Sequence, residues 1–435
     1  MNTNVKNIGL LAIALIVMSL SLSAYAGESA SEFVPEEIVC QVAYPEYIDS
    51  VNIAYGTSIS QYLLQIDGYL LTTLPGQNAE SLAAVIDLLP DVIYCQANYL
   101  LDAPEPVQGS QPFTDIGGTG DASTQEAATT LKLPATHEVS TGTGVKVAVI
   151  DVGVELNHPM FSGMTVSGAD YVDGDAVAMD ESGGRASGHG TFVAGIVSVV
   201  APAAEIVAYR VLDTTGSGNG FSIAEAVLQA VSDGCKVINL SIVMTGAHST
   251  LDGAIEFAHA NDVMVIAAAG NDSSNSDLFP ARDSYTLSVA ALDSSNLKAD
   301  FSSYGGKVDV CAPGTGIYSA YLDSSFAWWD GTSFAAPFVS GVAALLYSID
   351  SSASWSEIRD AIEETAISVD SINPDYANQL GFGLIDPVAA LQQIGATCGD
   401  ISGDGTGPDI SDLTALVNYL FITFVLPGSP VASDV

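Results

Sequence analysis

The chain has 435 residues, room for two to four domains, and 48% of them are hydrophobic, which excludes wholesale disorder. Ten Lys and Arg stand against 51 Asp and Glu, a formal net charge of -41. That charge repels nucleic acid and anionic membranes, and it reads as adaptation to a saline or cold medium rather than as one acidic site.

Residues 1–26 read as an export leader. Lys6 gives a positive start, residues 8–18 form an apolar run too short to span a bilayer, and Ala24-Tyr25-Ala26 is a small-x-small cleavage pattern. Past it, no stretch reaches the ~18 uninterrupted apolar residues of a membrane span. A secreted, extracellular protein free of the membrane after leader removal is expected. Cys40, Cys95, Cys235, Cys311 and Cys398 make an odd number, so at least one thiol has no partner within the chain. Cys235 and Cys311 sit beside apolar strands and read as buried thiols.

Residues 27–103 read as a small α+β domain. Strands are predicted at 38–42, 62–66, 69–73 and 92–98, with a helix over 78–89. Residues 104–130 form a linker, opening with Pro104, Pro106, Pro112 and several glycines. Over 131–396 the pattern becomes strands alternating with helices. Near-continuous apolar runs at 145–150, 206–211, 237–240 and 263–269 predict strands buried on both faces. Helices are predicted at 192–200, 223–232, 251–260, 335–349 and 355–366. The alternation implies an α/β fold, a doubly wound and mostly parallel sheet with helices on both faces.

Three motifs fall where such a sheet places a site, at strand ends and helix starts. Asp151 follows the strand Val147-Ala148-Val149-Ile150. His189 opens His189-Gly190-Thr191-Phe192-Val193-Ala194-Gly195. Ser333 lies in Gly331-Thr332-Ser333-Phe334-Ala335-Ala336-Pro337, at a helix start whose positive end favours a nucleophile gaining negative charge. Each residue alone is an ordinary cap or turn residue. Together, in the order Asp, His, Ser, the motifs resemble those of subtilisin-like serine peptidases.

The resemblance covers 131–394 and implies that Asp151, His189 and Ser333 form a catalytic triad. His189 would take the Ser333 proton, and Asp151 would fix the imidazole tautomer. Asn271, in Ala267-Ala268-Ala269-Gly270-Asn271-Asp272, matches the family's side-chain donor to the oxyanion, acting with the Ser333 N–H. Ser217, Gly218, Leu240, Ser241, Ala268, Ala269 and Gly270 would bind substrate, without a catalytic cofactor. Val243 stands where the family usually has glycine, which narrows the expected pocket. The stretch from His189 to Pro202 is too short for the family's calcium loop, and the acidic group Asp170, Asp173, Asp175 and Asp180 reads as a solvated loop. An inactive adhesion or display protein on the same fold is the alternative, and no triad residue is missing.

The first domain resembles the family's inhibitory propeptide, with a ferredoxin-like sheet. That resemblance implies a domain that assists folding, blocks the cleft with its C-terminal tail and is removed by self-processing. Cys40 and Cys95 would lie on neighbouring strands and form a disulfide. Residues 397–435 resemble half of a dockerin, with Asp400, Ser402, Asp404, Asp409 and Asp412 as calcium ligands and a cohesin-like scaffold as partner. Asp412 falls one position late, and only one of two repeats is present. Asp434-Val435 reads as the opening of a second, truncated repeat.

Overall fold

The computed structural model describes residues 32–105, 109–115, 121–161, 163–275 and 277–398. The leader-like segment 1–26 and the five calcium-ligand candidates from Asp400 onward lie outside them. The chain divides into two compact units, Met1–Leu100 and Leu101–Val435.

In the first unit, β1 (Phe33–Val42) leads to α1 (Tyr47–Tyr55), β2 (Ser58–Leu63), β3 (Gly68–Thr72), α2 (Ala79–Ile86) and β4 (Val92–Asp102). Antiparallel pairing gives the order β2-β3-β1-β4. The β2–β3 turn comes earlier than the sequence suggests, at residues 64–67, and Asp67 takes a left-handed φ of +50° to close it. Helix α1 escaped the sequence reading because only Ile48 and Val51 are buried along it. Ile38, Leu71 and Ile86 centre a small core. Cys40 stands opposite Cys95 in the β1–β4 register, and the two are joined in a disulfide.

The second unit begins with β5 (Phe113–Asp115), inside the stretch read as linker. It continues through β6 (Lys146–Asp151), β7 (Thr165–Asp170), α3 (His189–Val200), β8 (Glu205–Arg210), β9 (Ser217–Asn219), α4 (Gly220–Ser232), β10 (Val237–Leu240) and α5 (Ser249–Ala260). Then come β11 (Met264–Ala268), β12 (Thr286–Leu292), β13 (Val310–Pro313), β14 (Ile317–Tyr321), β15 (Ser325–Trp329), α6 (Thr332–Ile349), α7 (Trp355–Glu364) and α8 (Pro387–Cys398). Seven strands form a parallel sheet in the order β13-β12-β11-β10-β6-β8-β7. The inner strands β6, β10 and β11 are mostly apolar without alternation because helices cover both faces, whereas the edge strand β7 is polar and half-buried. Strands β14, β15 and β5 make a small antiparallel sheet. Helix α6 is buried from Thr332 to Tyr347 and packs on α3 and on five strands of the sheet, β6 and β10 to β13. Cys235 and Cys311 are buried and free.

Candidate active site

The chain reverses its direction of progress across the sheet between β6 and β10, and in doubly wound sheets the crevice at such a point carries the site. Asp151 is the last residue of β6, His189 the first of α3, Ser333 the second of α6, and Asn271 follows β11. All four are buried. Gly190 lets α3 come this close: a Cβ there would stand 2.1 Å from the Gly153 carbonyl oxygen.

His189 Nδ1 lies 2.8 and 3.0 Å from the two Asp151 carboxylate oxygens. Its Nε2 lies 3.1 Å from Oε2 of Glu105, a residue the sequence reading left in the linker. The other Glu105 oxygen, Oε1, accepts from Asn271 Nδ2 at 2.7 Å and from the Ser333 backbone N–H at 3.2 Å. The two proposed oxyanion donors therefore converge on one oxygen atom. Asn271 is held for this by its side-chain oxygen Oδ1, which accepts from the N–H and hydroxyl of Thr332 at 2.9 and 2.8 Å.

Burial alone would push the His189 imidazole down, but the Asp151 charge and hydrogen bond, then those of Glu105, outweigh it and hold the imidazole up at about 10. Burial likewise opposes the Glu105 charge. The bond and charge of His189, with the Ser333 and Asn271 bonds, overcome it and leave the carboxyl below its ordinary range. Each group thus favours the charged form of the other.

The seat of Ser333 depends on Pro337, four residues on. Proline has no N–H to close the helical bond to the Ser333 carbonyl. The Ser241 hydroxyl donates to that carbonyl instead, at 2.9 Å. Ser241 in turn accepts from Asn239 Nδ2, and Asn239 Oδ1 accepts from the Ser340 hydroxyl, each at 2.9 Å. A buried polar chain so ties β10 to α6. The Ser333 hydroxyl donates to the Ser241 carbonyl at 3.4 Å.

Two of the acidic residues read as a solvated loop are buried. Asp170 lies with Asp173 on the buried Arg210 guanidinium, at 2.9 and 2.7 Å, and Glu181 completes that cluster. Asp180 accepts from the N–H groups of Gly188 and Thr191 and from the Thr191 hydroxyl, so it caps the helix that carries His189. Helix starts leave such N–H groups free, and this cap comes from outside the helix, beyond any local sequence signal. Among the described residues, no three His, Cys, Asp or Glu side chains are placed to share a metal ion.

The substrate-binding candidates separate. Ser217 and Gly218 lie in β9, which pairs with β4, and just before it the Gly216 carbonyl accepts from the Ala103 N–H at 2.8 Å. Val243 exchanges two bonds with Asp102, at 3.0 and 2.8 Å. Leu240 is buried, as His189 and Ser333 are with Glu105 seated between them. Ser241 acts on the Ser333 carbonyl. Ala268 and Ala269 are buried, and the Gly270 N–H donates to the Thr332 hydroxyl at 3.1 Å.

A family model described as the subtilase family matches residues 142–384, which contain Asp151, His189, Asn271 and Ser333. The chain belongs to the subtilase family. It is a subtilisin-like serine endopeptidase. This subtilase is 40% identical to thermitase of Thermoactinomyces vulgaris over 272 residues, 60% of its own length and 94% of the relative's. It is 38% identical to subtilisin Savinase of Lederbergia lenta, again over 272 residues, 60% of its length and 96% of that protein's. The crystal structure of fervidolysin from Fervidobacterium pennivorans, a keratinolytic enzyme related to subtilisin, matches with a TM-score of 0.70 and 25% identity. That match covers 84% of this subtilase and 62% of fervidolysin.

Proposed function

We propose that this subtilase is exported as a proenzyme and hydrolyses protein substrates outside the cell through an acyl-enzyme on Ser333. His189 Nε2 takes the hydroxyl proton as Ser333 Oγ attacks the carbonyl, then returns it to the leaving amine. Asp151 holds Nδ1–H and stabilises the imidazolium. Asn271 Nδ2 and the Ser333 N–H receive the developing oxyanion. The observation that carries this reading is the convergence of those two donors on one oxygen while His189 bridges to the other oxygen of the same carboxylate. The leader-like residues 1–26 support export, and the propeptide-like fold of the first unit supports inhibition followed by self-processing.

The test uses a fluorophosphonate probe and the purified chain. Ser333 is expected to take the label, and S333A to lose both labelling and peptide hydrolysis and to accumulate uncut. Cleavage of wild type is expected between Leu100 and Asp121. Full hydrolysis by S333A would refute the assignment.

A further inference from the structure

The Glu105 carboxylate is fully buried at the centre of the site, although the backbone around it is not arranged as a substrate. Asp102 and Ala103 enter paired with Val243 and Gly216, as an extended peptide would. At Pro104 and Glu105 the chain turns helical. The Glu105 main-chain carbonyl then accepts from Ser110 N–H at 3.0 Å, so it faces neither oxyanion donor. Ser110 is fixed in turn by the Trp329 indole N–H and by its own bond to the Asp330 carbonyl. The group in the oxyanion position is the side chain.

A carboxylate with one oxygen on the oxyanion donors and the other on the histidine has the shape of the acid product of peptide hydrolysis. It cannot serve as substrate, because a carboxylate carbon resists nucleophilic attack and there is no amine to expel. It also disarms the base: His189, held as imidazolium between Asp151 and Glu105, has no lone pair with which to accept the Ser333 proton. Room for the group depends on Gly331, where a Cβ would stand 2.0 Å from Glu105 Oε1.

We propose that the catalytic centre is a carboxylate-binding site and that Glu105 is its built-in ligand, a product-mimicking latch that holds the uncut chain at low reactivity and must swing out before Ser333 can react. The latch rests on the serine-peptidase reading above. It places the block in one side chain of the segment after Leu100 and makes the same pocket a receptor for free carboxylates once that segment leaves.

The test reads the rate at which a fluorescent fluorophosphonate labels the uncut band of full-length chain on a gel. Wild type is expected to label slowly, and E105A and the isosteric, uncharged E105Q about ten-fold faster or more, since each loses charge-assisted bonds. Acetate at high concentration is expected to slow labelling of E105A and leave wild type unchanged, a rescue that a merely structural glutamate would not give. Equal rates in wild type and both variants, or no acetate effect on E105A, would overturn the latch while leaving the peptidase reading intact. E105Q keeps the test open should E105A fail to fold. Absence of label at Ser333 in every variant and in mature enzyme would remove both.

Discussion

Replacing Gly190 by alanine tests how tightly α3 is set against β6. The added Cβ would lie 2.1 Å from the Gly153 carbonyl oxygen, where ordinary contact begins at 3.4 Å, an overlap of about 1.3 Å between main-chain-bound atoms. Gly153 lies close against the Met179 backbone. Its φ is +99°, and its own Cβ position is 2.5 Å from the Met179 backbone. The helix start must move, and with it His189, away from an Asp151 oxygen now at 2.8 Å. A misplacement near 1 Å in a catalytic group lowers turnover by roughly 10²-fold, and overpacking a buried contact costs about 1–3 kcal/mol of stability. Steady-state hydrolysis of a chromogenic peptide by mature enzyme, standardised by fluorophosphonate titration, measures the first effect; thermal melting in the S333A background measures the second. The fall is expected mainly in kcat. G306A, at an exposed glycine with open space around it, is the control. G190A with undiminished kcat and unchanged melting would refute the argument from contact.

Burial pushes the Asp180 carboxyl up to about 7, against the bonds it accepts from Thr191 and Gly188 and with the nearby Asp151 charge adding to the rise. The native state then holds this proton longer than the unfolded chain does, so Asp180 lowers stability as pH rises from about 4 to 7 and has a constant effect above. D180N in the S333A background should therefore gain on its parent by up to about 4 kcal/mol across that window. Denaturant melts at pH 4, 7 and 9 check this, and a difference independent of pH would show that the carboxylate is not desolvated. S241A should leave the Ser333 carbonyl without its donor, costing about 1–3 kcal/mol and lowering kcat more than it raises KM; unchanged kcat would show that the Pro337 gap needs no filling.

The three motifs that the structure brings together, Asp151 against His189 and both His189 and Ser333 on one carboxylate, were legible in the sequence because each residue carries its signature in its immediate neighbours: a strand before Asp151, small residues after His189, and Gly-Thr before Ser333. The parallel sheet was legible for a similar reason, since strands buried on both faces have no polar alternation. What stayed hidden depends on distance along the chain. Glu105 lies 84 residues from His189 and 228 from Ser333, in a Pro- and Gly-rich stretch whose composition signals only a connector. Asp180 looked like one more charge in an acidic loop because depth leaves no local mark. Pro337 was in plain view within the serine motif, but its consequence needed Ser241, 92 residues from Ser333.

The Cys40–Cys95 bridge joins the first and last strands of the N-terminal unit, 55 residues apart. A protease that cuts a single bond between them leaves two fragments still covalently linked, with β1 and β4 held in register. Further cuts within the loop release only the pieces between them, so the two bridged strands come apart only when the disulfide is reduced. In an oxidising medium, a nicked copy remains one molecule.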